Sequence, residues 1–522
     1  MPLQNQSPPK LSPKIESLTS LFSGSALSSR IFMADAILSA LLALLLISSC
    51  THRVESYAEE EGFIWVEISN KGLDFAKNIL IHTAESSLVP LELPDIDKSA
   101  DISLLGTVDM ILSDITINAI QVTSSAVSTA HSGVVLSVSG ATANLTMNWK
   151  YSYSTWLLVP IEVSDSGQAS VQVSGMEIGL TLSLKNQQGS LSLSLVKNKC
   201  SVEDISINLE GGASWLYQGV VDAFQGKLTS AVEDAISSKI SEEVAKLDSL
   251  LQSLPKEVPI TSIATLNVTF VGDPKISKSS LALAINGLVS ARDEDDTLLQ
   301  NHHRALYHLI SSKGPDYMFT IFLNEIVIKS VLSVYYEAGK MHWIVDEVPD
   351  QFLLNTARWK FILPNLYKQY PNDNMTLNIS ISSVPNIEIK EQQIDATVTA
   401  DVIINVLNDT KAVPIACISV EITGSAFPEI SSKDMAGSIT LHELSMSSVW
   451  SKVGDLNMLA IESVVLTVLR TGVLPYVNFR LGQGFSVPDF YGYTLENTEI
   501  SCSDSWIMVS SDVAQTNQAY LS

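Results

Sequence analysis

Residues 134 to 254 alternate apolar and small polar side chains almost without interruption, then run into one amphipathic helix of about forty residues. Few folds accept that combination, because a long apolar helix needs a sheet curved enough to wrap it. The alternation puts Val134, Leu136 and Val138 in one phase and Ala143, Leu145, Met147, Trp149, Tyr151 and Tyr153 in the other. Gly140 sits where the phase slips, as at a β-bulge. The pattern resumes at Ala169, Val171 and Val173, slips again at Gly175, and continues through Met176, Ile178, Leu180, Leu182 and Leu184. Leu191, Leu193 and Leu195 follow, then Ile205, Ile207 and Leu209. Strands of this kind bury one face and wet the other. Gly211-Gly212 end the sheet, and the helix carries Leu216, Val220, Phe224, Leu228, Val232, Ile236, Ile240, Val244, Leu247 and Leu251 on one stripe before Pro255. At about 1.5 Å per residue it spans roughly 60 Å. The stripe repeats mostly every four residues against about 3.6 per turn, so the apolar surface winds around the helix and its cover must wind with it.

A chain of 522 residues exceeds what one core supports, so two domains are expected. At 46% hydrophobic and 17% charged it has the apolar material to build them by burial. Net charge is −25, from 56 acids and 31 bases. That excludes nucleic acid as a natural partner, since phosphate binding depends on Lys and Arg, and it disfavours unassisted docking on anionic membranes.

Near the N-terminus, Ala36 to Ile47 form an apolar block, followed by Ser56-Tyr57-Ala58 as an A-x-A-like cleavage site. This predicts a secretory signal peptide cut after about Ala58, preceded by a Pro- and Ser-rich extension, with translation from Met33 as an alternative start. A transmembrane anchor is the competing reading, but the block falls short of the roughly twenty residues a span needs. Five N-x-S/T sequons at Asn144, Asn267, Asn374, Asn378 and Asn408 are expected glycosylation sites in a secreted, extracellular or vacuolar chain. Cys200, Cys417 and Cys502 remain after cleavage, and an odd number leaves at least one thiol unpaired or intermolecular.

Beyond the leader at 1–58, the expected division is an N-terminal domain at 59–290, a linker at 291–302 around the charged run Arg292 to Asp296, and a C-terminal domain at 303–522. Gly62 to Ser69 predicts a short strand. Lys71 to Ala76 open a helix with Leu73, Ala76, Leu80 and Leu88 on one side, closed by Leu93-Pro94-Asp95-Ile96. The second half repeats the order of strand, short helix, strands and long helix. Its strands include Leu377, Ile379 and Ile381, then Ile394, Ala396 and Val398, then Ile439 and Leu441. Its second amphipathic helix covers about Met458 to Val477, and Glu462 and Arg470 within it argue against a membrane span.

These residues resemble, in order along nearly the whole chain, the secreted lipid-binding family of bactericidal/permeability-increasing protein, lipopolysaccharide-binding protein and cholesteryl ester transfer protein. The plant members are most similar. The resemblance is carried by Ile68-Ser69 with Lys71-Gly72-Leu73-Asp74-Phe75-Ala76, by Leu93-Pro94-Asp95-Ile96, and by Gly212 to Leu216. Later matches are Tyr336-Glu337-Ala338-Gly339, Leu363-Pro364, Pro371-Asn372 and Gly484-Phe485-Ser486-Val487-Pro488. It implies an α+β fold: a boomerang of two tubular lipid-binding barrels, each a twisted antiparallel sheet on a long helix, joined by a central sheet. Each barrel would hold a phospholipid-sized apolar pocket.

Two departures bear on function. The family's animal members pair a cysteine aligned with Cys200 to one in the long helix, whereas here that place falls near Ile236-Ser237 and the bridge is missing. Animal lipopolysaccharide binders also carry basic residues at the tip of the N-terminal barrel. Here that stretch is Trp149-Lys150-Tyr151-Ser152-Tyr153-Ser154-Thr155-Trp156-Leu157, with one Lys among aromatics. Trp149, Lys150 and Trp156 are therefore candidates for a headgroup or membrane tip, with barrel capping as the equal alternative.

A continuous apolar helix face is most often plain core, and a pocket draws on the same residue types. Under the resemblance, Leu73, Ala76 and Leu80 on the first helix and Leu216, Val220, Phe224 and Leu228 on the second are candidate lipid contacts. His302, His303 and His308 near Asp295 and Asp296 lack metal-ligand spacing, so no metal is expected. No G-x-S-x-G elbow, Walker loop, dinucleotide fingerprint or H-E-x-x-H occurs, so the chain is read as non-enzymatic and without a cofactor. The expected function is binding of phospholipid or lipopolysaccharide, with a role in defence against bacterial lipopolysaccharide. The alternatives are an extracellular carrier of phospholipid or sterol and, from another class, a packed scaffold or receptor ectodomain without lipid.

Overall fold

The computed structural model describes residues 62–102, 106–130, 133–156, 160–210, 214–292, 317–347, 351–408, 411–431, 434–486 and 493–515. The expected leader and cleavage site, most of the linker and the three neighbouring histidines lie outside the described residues.

A six-stranded antiparallel sheet joins the two halves, in the order Lys275–Ile276, Ser280–Ile285, Ile64–Ser69, Phe319–Asn324, Trp506–Gln515, Tyr493–Ser503. The first strand of the N-terminal half lies in the middle, paired with Ser280–Ile285 on one side and with Phe319–Asn324 of the second half on the other. Helix α1 (Asn70–Ser87) leaves this strand directly, and Ser69 caps it by accepting a hydrogen bond from the Gly72 N–H at 3.2 Å. A Cβ at Gly72 would stand 2.2 Å from the Met318 carbonyl oxygen, so only glycine lets the helix start this close to the second half. Lys71 then donates to Asp512 at 2.8 Å, tying α1 to the last strand of the chain.

The N-terminal barrel is an eight-stranded antiparallel sheet dominated by Gly106–Gln121, Gly133–Trp156 and Pro160–Gln187. Strands of 24 and 28 residues stay in one sheet only because they bend. They bend where the phase slips: Gly140 and Gly175 both take positive φ, and the register shifts there between Val138 and Ala143. Helix α2 (Ser214–Gln252) lies in the curve and buries Phe224, Leu228, Val232 and Ile236. They meet Leu112, Ile117, Leu145, Met147, Val171, Val173 and Met176, the inward residues of the three long strands. Beyond Ile240 the helix is only half-buried along its stripe. On α1 the inward face differs from expectation. Leu73, Lys77 and Leu88 are buried and Ala76 and Leu80 face out, because the buried row steps by four residues and drifts off the row through Leu80. Lys77 is accommodated by donating to Asp74 at 2.6 Å and to the Ser125 carbonyl at 3.4 Å.

The C-terminal barrel repeats the plan with a seven-stranded sheet, chiefly Asn374–Ile381, Gln393–Asn408, Lys411–Ser431 and Asp434–Ser451. Helix α3 (Glu325–Glu337), capped by Asn324, packs Val331, Val334 and Tyr335 against a small three-stranded sheet built around Ala264–Asn267. Two 3₁₀ turns (Gln351–Leu354, Thr356–Trp359) and the short helix α4 (Pro364–Gln369) close one end of the sheet. The second long helix changes its winding midway. Helix α5 (Met458–Val468) passes through a π turn (Leu469–Val473) into α6 (Leu474–Gly482). Among the described residues, Met458–Gly482 is the one helical stretch long and apolar enough to cross a membrane by length and composition. It instead lies along the sheet, where α5 and α6 both contact the strand Asp434–Ser451.

Candidate functional site

An apolar cavity lies in the C-terminal barrel, between α5 and the sheet. It measures about 180 Å³ and is lined by seventeen side chains, every one apolar or aromatic. Val464, Val465, Val468 and Leu469 come from the helical side, Met375, Leu377, Ile404 and Ile415 from the strands, and Leu353, Trp359, Leu363 and Leu366 from the turns and α4. Trp359 gives its indole N–H to the Leu353 carbonyl at 2.9 Å, so its polar end is satisfied inside the wall. The α5 wall is weakly held, since Ile461 is its one buried residue. The resemblance implied a pocket in this barrel, but the sequence named none of its lining residues. The turns that complete its lining carry no periodic signal, and only the clustered Leu353, Leu354, Trp359, Leu363 and Leu366 hint at a buried wall there.

The residues singled out in the N-terminal barrel are placed differently. Phe224 and Leu228 are packed solidly in the core, with the Lys98 ammonium 5.8 Å from the Phe224 ring centroid. Leu73 is buried, Ala76 and Leu80 are exposed, and the side chains of Leu216 and Val220 lie outside the described ones. Trp149 is a wall residue. It is 1% exposed, donates its indole N–H to the Gln168 carbonyl at 3.0 Å, packs on Gly167 and stacks on Tyr151. Lys150, next on the strand, faces solvent, and the Trp156 side chain is outside the described ones. Of the sequons, Asn144, Asn374 and Asn408 are exposed, whereas Asn267 is occupied internally by Thr269 and the Asn378 side-chain oxygen is buried.

A larger groove of about 650 Å³ runs between Leu91–Asp97 and α2, lined by Glu92, Asp95, Asp97, Asp234 and Glu242 against Lys227 and Lys239. Its acidic excess opposes an anionic headgroup. Cys200, Cys417 and Cys502 are free and buried. Burial, then the nearby Glu233, pushes the Cys200 thiol up to about 11, and burial alone does the same to Cys502. Both thiols stay protonated and are poor nucleophiles. In the C-terminal sheet Ser425 meets His442 Nε2 and Asp395, each at 2.5 Å. The carboxylate binds the serine and not the imidazole, and Ser425 is 1% exposed, so the arrangement differs from a nucleophilic triad in both wiring and access. Among the described residues no cluster of three or more His, Cys, Asp or Glu could hold a metal ion.

The fold matches that of a lipopolysaccharide-binding protein crystal structure with a TM-score of 0.56, covering 88% of this chain and 100% of the other at 17% identity. The chain is 48% identical to a BPI/LBP family protein of Arabidopsis thaliana over 87% of its own length and 93% of the relative's. It is 25% identical to human lipopolysaccharide-binding protein, covering 87% and 93% of the two chains. It is 23% identical to the bactericidal permeability-increasing protein of Sebastes schlegelii, covering 86% and 95%. The N-terminal domain profile of the LBP / BPI / CETP family matches residues 72–254 and the C-terminal profile matches residues 259–515. An α+β chain of two helix-filled antiparallel barrels on a shared central sheet, matched along both halves, belongs to the LBP/BPI/CETP family of lipid-binding proteins.

Proposed function

We propose that this protein is a secreted binder of phospholipid whose acyl chain enters the cavity behind α5 while the headgroup stays at the rim. The observation that carries the reading is the lining, which offers no polar side chain to anything inside. Each methylene buried there contributes about 0.8 kcal/mol, so affinity needs no charged contact. At about 180 Å³ the cavity is small. Common ligand sites measure roughly 300–1,000 Å³. A chain therefore enters by displacing α5, the wall with the least burial. Leu73, Ala76, Leu80, Leu216, Val220, Phe224 and Leu228 belong to the proposal only as a second site, which would need the N-terminal core to open. Asn144, Asn374 and Asn408, all exposed, are the candidate glycan acceptors.

Lipopolysaccharide recognition with a role in defence is the second reading, favoured by the names of the animal relatives. The single Lys between Trp149 and Trp156 weighs against lipid A phosphates at that tip. Mass spectrometry of lipid extracted from protein made in a eukaryotic secretory host without detergent tests both. About one phospholipid per chain, lost in Val464→Glu/Val465→Glu, is the expected result. A folded, lipid-free protein would overturn the proposal in favour of a packed scaffold.

A further inference from the structure

We infer that the far end of the C-terminal barrel is a docking surface for bilayers containing anionic phospholipid. Six large apolar side chains are exposed there: Phe352, Phe361, Leu407, Val449, Trp450 and Leu459, with Phe361 and Leu459 each 83% exposed. They are far apart in sequence, and the register brings them to one end. Asn374, at the start of its strand, pairs with Leu407 and bridges to Asn355 between the two 3₁₀ turns. Lys411 pairs with Asn408 across the same hairpin, and Cys417 further along pairs with Trp450. Leu459 opens α5 a few residues later, behind the Asn457 cap.

Bases are interleaved with these side chains. The Arg358 guanidinium sits 5.9 Å from the Phe352 ring centroid, Lys360 4.7 Å from Phe361, and Lys452 5.5 Å from Trp450. The segments 351–372, 411–420 and 444–454 hold five bases and no acid, within a chain of 56 acids and 31 bases. Asp346, Glu347, Asp373, Asp409, Glu421, Glu443 and Asp455 flank them, so the basic character is confined to the segments that carry the rings. Exposed aromatics beside Lys and Arg fit the boundary between headgroups and acyl chains, where the ring enters the apolar layer and the cation stays with phosphate. A protein interface depletes its centre of Lys, whereas Lys360 and Lys452 stand directly beside the exposed rings here.

The same end carries the cavity. Leu353, Leu354, Trp359, Leu363 and Leu366 line it from the very turns and helix that present Phe352 and Phe361 outward. Docking would set the α5 wall against the bilayer, so a chain could pass between membrane and cavity without crossing water. This part rests on the cavity reading, whereas docking itself does not.

The test is flotation of the full-length secreted protein with vesicles of phosphatidylcholine carrying one-quarter phosphatidylglycerol, and with vesicles of phosphatidylcholine alone. Wild type is expected to float with the anionic vesicles and to lose binding as salt rises. Phe361→Ser and Leu459→Ser should each weaken it about tenfold, as for one large apolar side chain left in water. Lys360→Glu/Lys452→Glu should remove the preference for anionic vesicles, and Val196→Ser on the N-terminal barrel should change nothing. Equal flotation of the tip variants, or none by wild type, would overturn docking. A glycan found on Asn374 or Asn408, both exposed at this end, would also overturn it. Lipid content of the wild type separates the two readings: lipid-loaded wild type that does not float overturns docking alone, and lipid-free wild type that floats overturns the cavity reading alone.

Discussion

In the N-terminal barrel one α-helix of 39 residues lays Phe224, Leu228, Val232 and Ile236 into its sheet, whereas in the C-terminal barrel the corresponding helix rewinds through a π turn and leaves a cavity beneath it. The plans are the same and the fillings are not. In α2 the stripe steps by four, so from Phe224 to Ile236 large side chains follow the twist of the sheet and meet it at each turn. In α5 and its π turn, Ile461, Val464, Val465, Val468 and Leu469 crowd together while Leu459 points to solvent, so the apolar surface exceeds what the sheet covers. One barrel uses its helix as core and the other uses it as a removable wall.

The sharpest way to break that contrast is to place a charge on each helix. Phe224→Glu puts a carboxylate in a dry core and should cost the N-terminal barrel several kcal/mol, enough to unfold it in thermal or urea melts. Val465→Glu, on a wall already beside empty space, should leave the melting transition nearly in place and abolish lipid retention. If Phe224→Glu instead stayed folded and merely lost lipid, the N-terminal barrel would hold a pocket after all, as the resemblance implied. A milder pair follows the same logic. Leu228→Ala should cost about 2–5 kcal/mol, as for a fully packed leucine. Val464→Ala should cost under about 1 kcal/mol, because the atoms it removes face a cavity.

Hydrogen exchange sharpens the comparison without a mutation. Backbone amides of α2 between Phe224 and Ile236 should exchange only on global unfolding. Those of α5 and α6 should exchange by local opening, and bound lipid should slow them. Uniform protection of both helices would mean that α5 is no gate.

Much of this was legible in residues and some was not. The bulges were visible as phase slips at Gly140 and Gly175, and the α2 stripe located the N-terminal core, because periodicity reports burial wherever a regular element meets a regular element. Trp149 shows the limit. Its alternation phase pointed inward with Leu145 and Met147, but an aromatic run with one Lys suggested a tip, and the structure stacks the ring on Tyr151 and Gly167. The central sheet was legible only through the family resemblance and not from local pattern, since Ile64–Ser69 pairs with strands more than two hundred residues away. The lining of the cavity and the basic aromatic end were hidden from local pattern altogether. Phe352, Leu407 and Trp450 share no local pattern and meet only through cross-strand register.

The smallest expected effect concerns the tie that holds the two barrels to one sheet. Asp512 is buried, which by itself raises its carboxyl pKa, but hydrogen bonds from Lys71, Asn497 and the Met318 N–H outweigh burial and lower it. A carboxylate lowered in the folded state adds stability above the unfolded value of about 3.9, and that stability fades as pH falls through the lower folded value. Urea melts of wild type should therefore weaken on acidification beyond what Asp512→Asn shows, by about 1 kcal/mol for a half-exposed lysine partner. Because Lys71 opens α1 and Asp512 lies on Trp506–Gln515, the loss should appear in both barrels together. A pH effect confined to one barrel would mean that the central sheet couples them through Ile64–Ser69 alone.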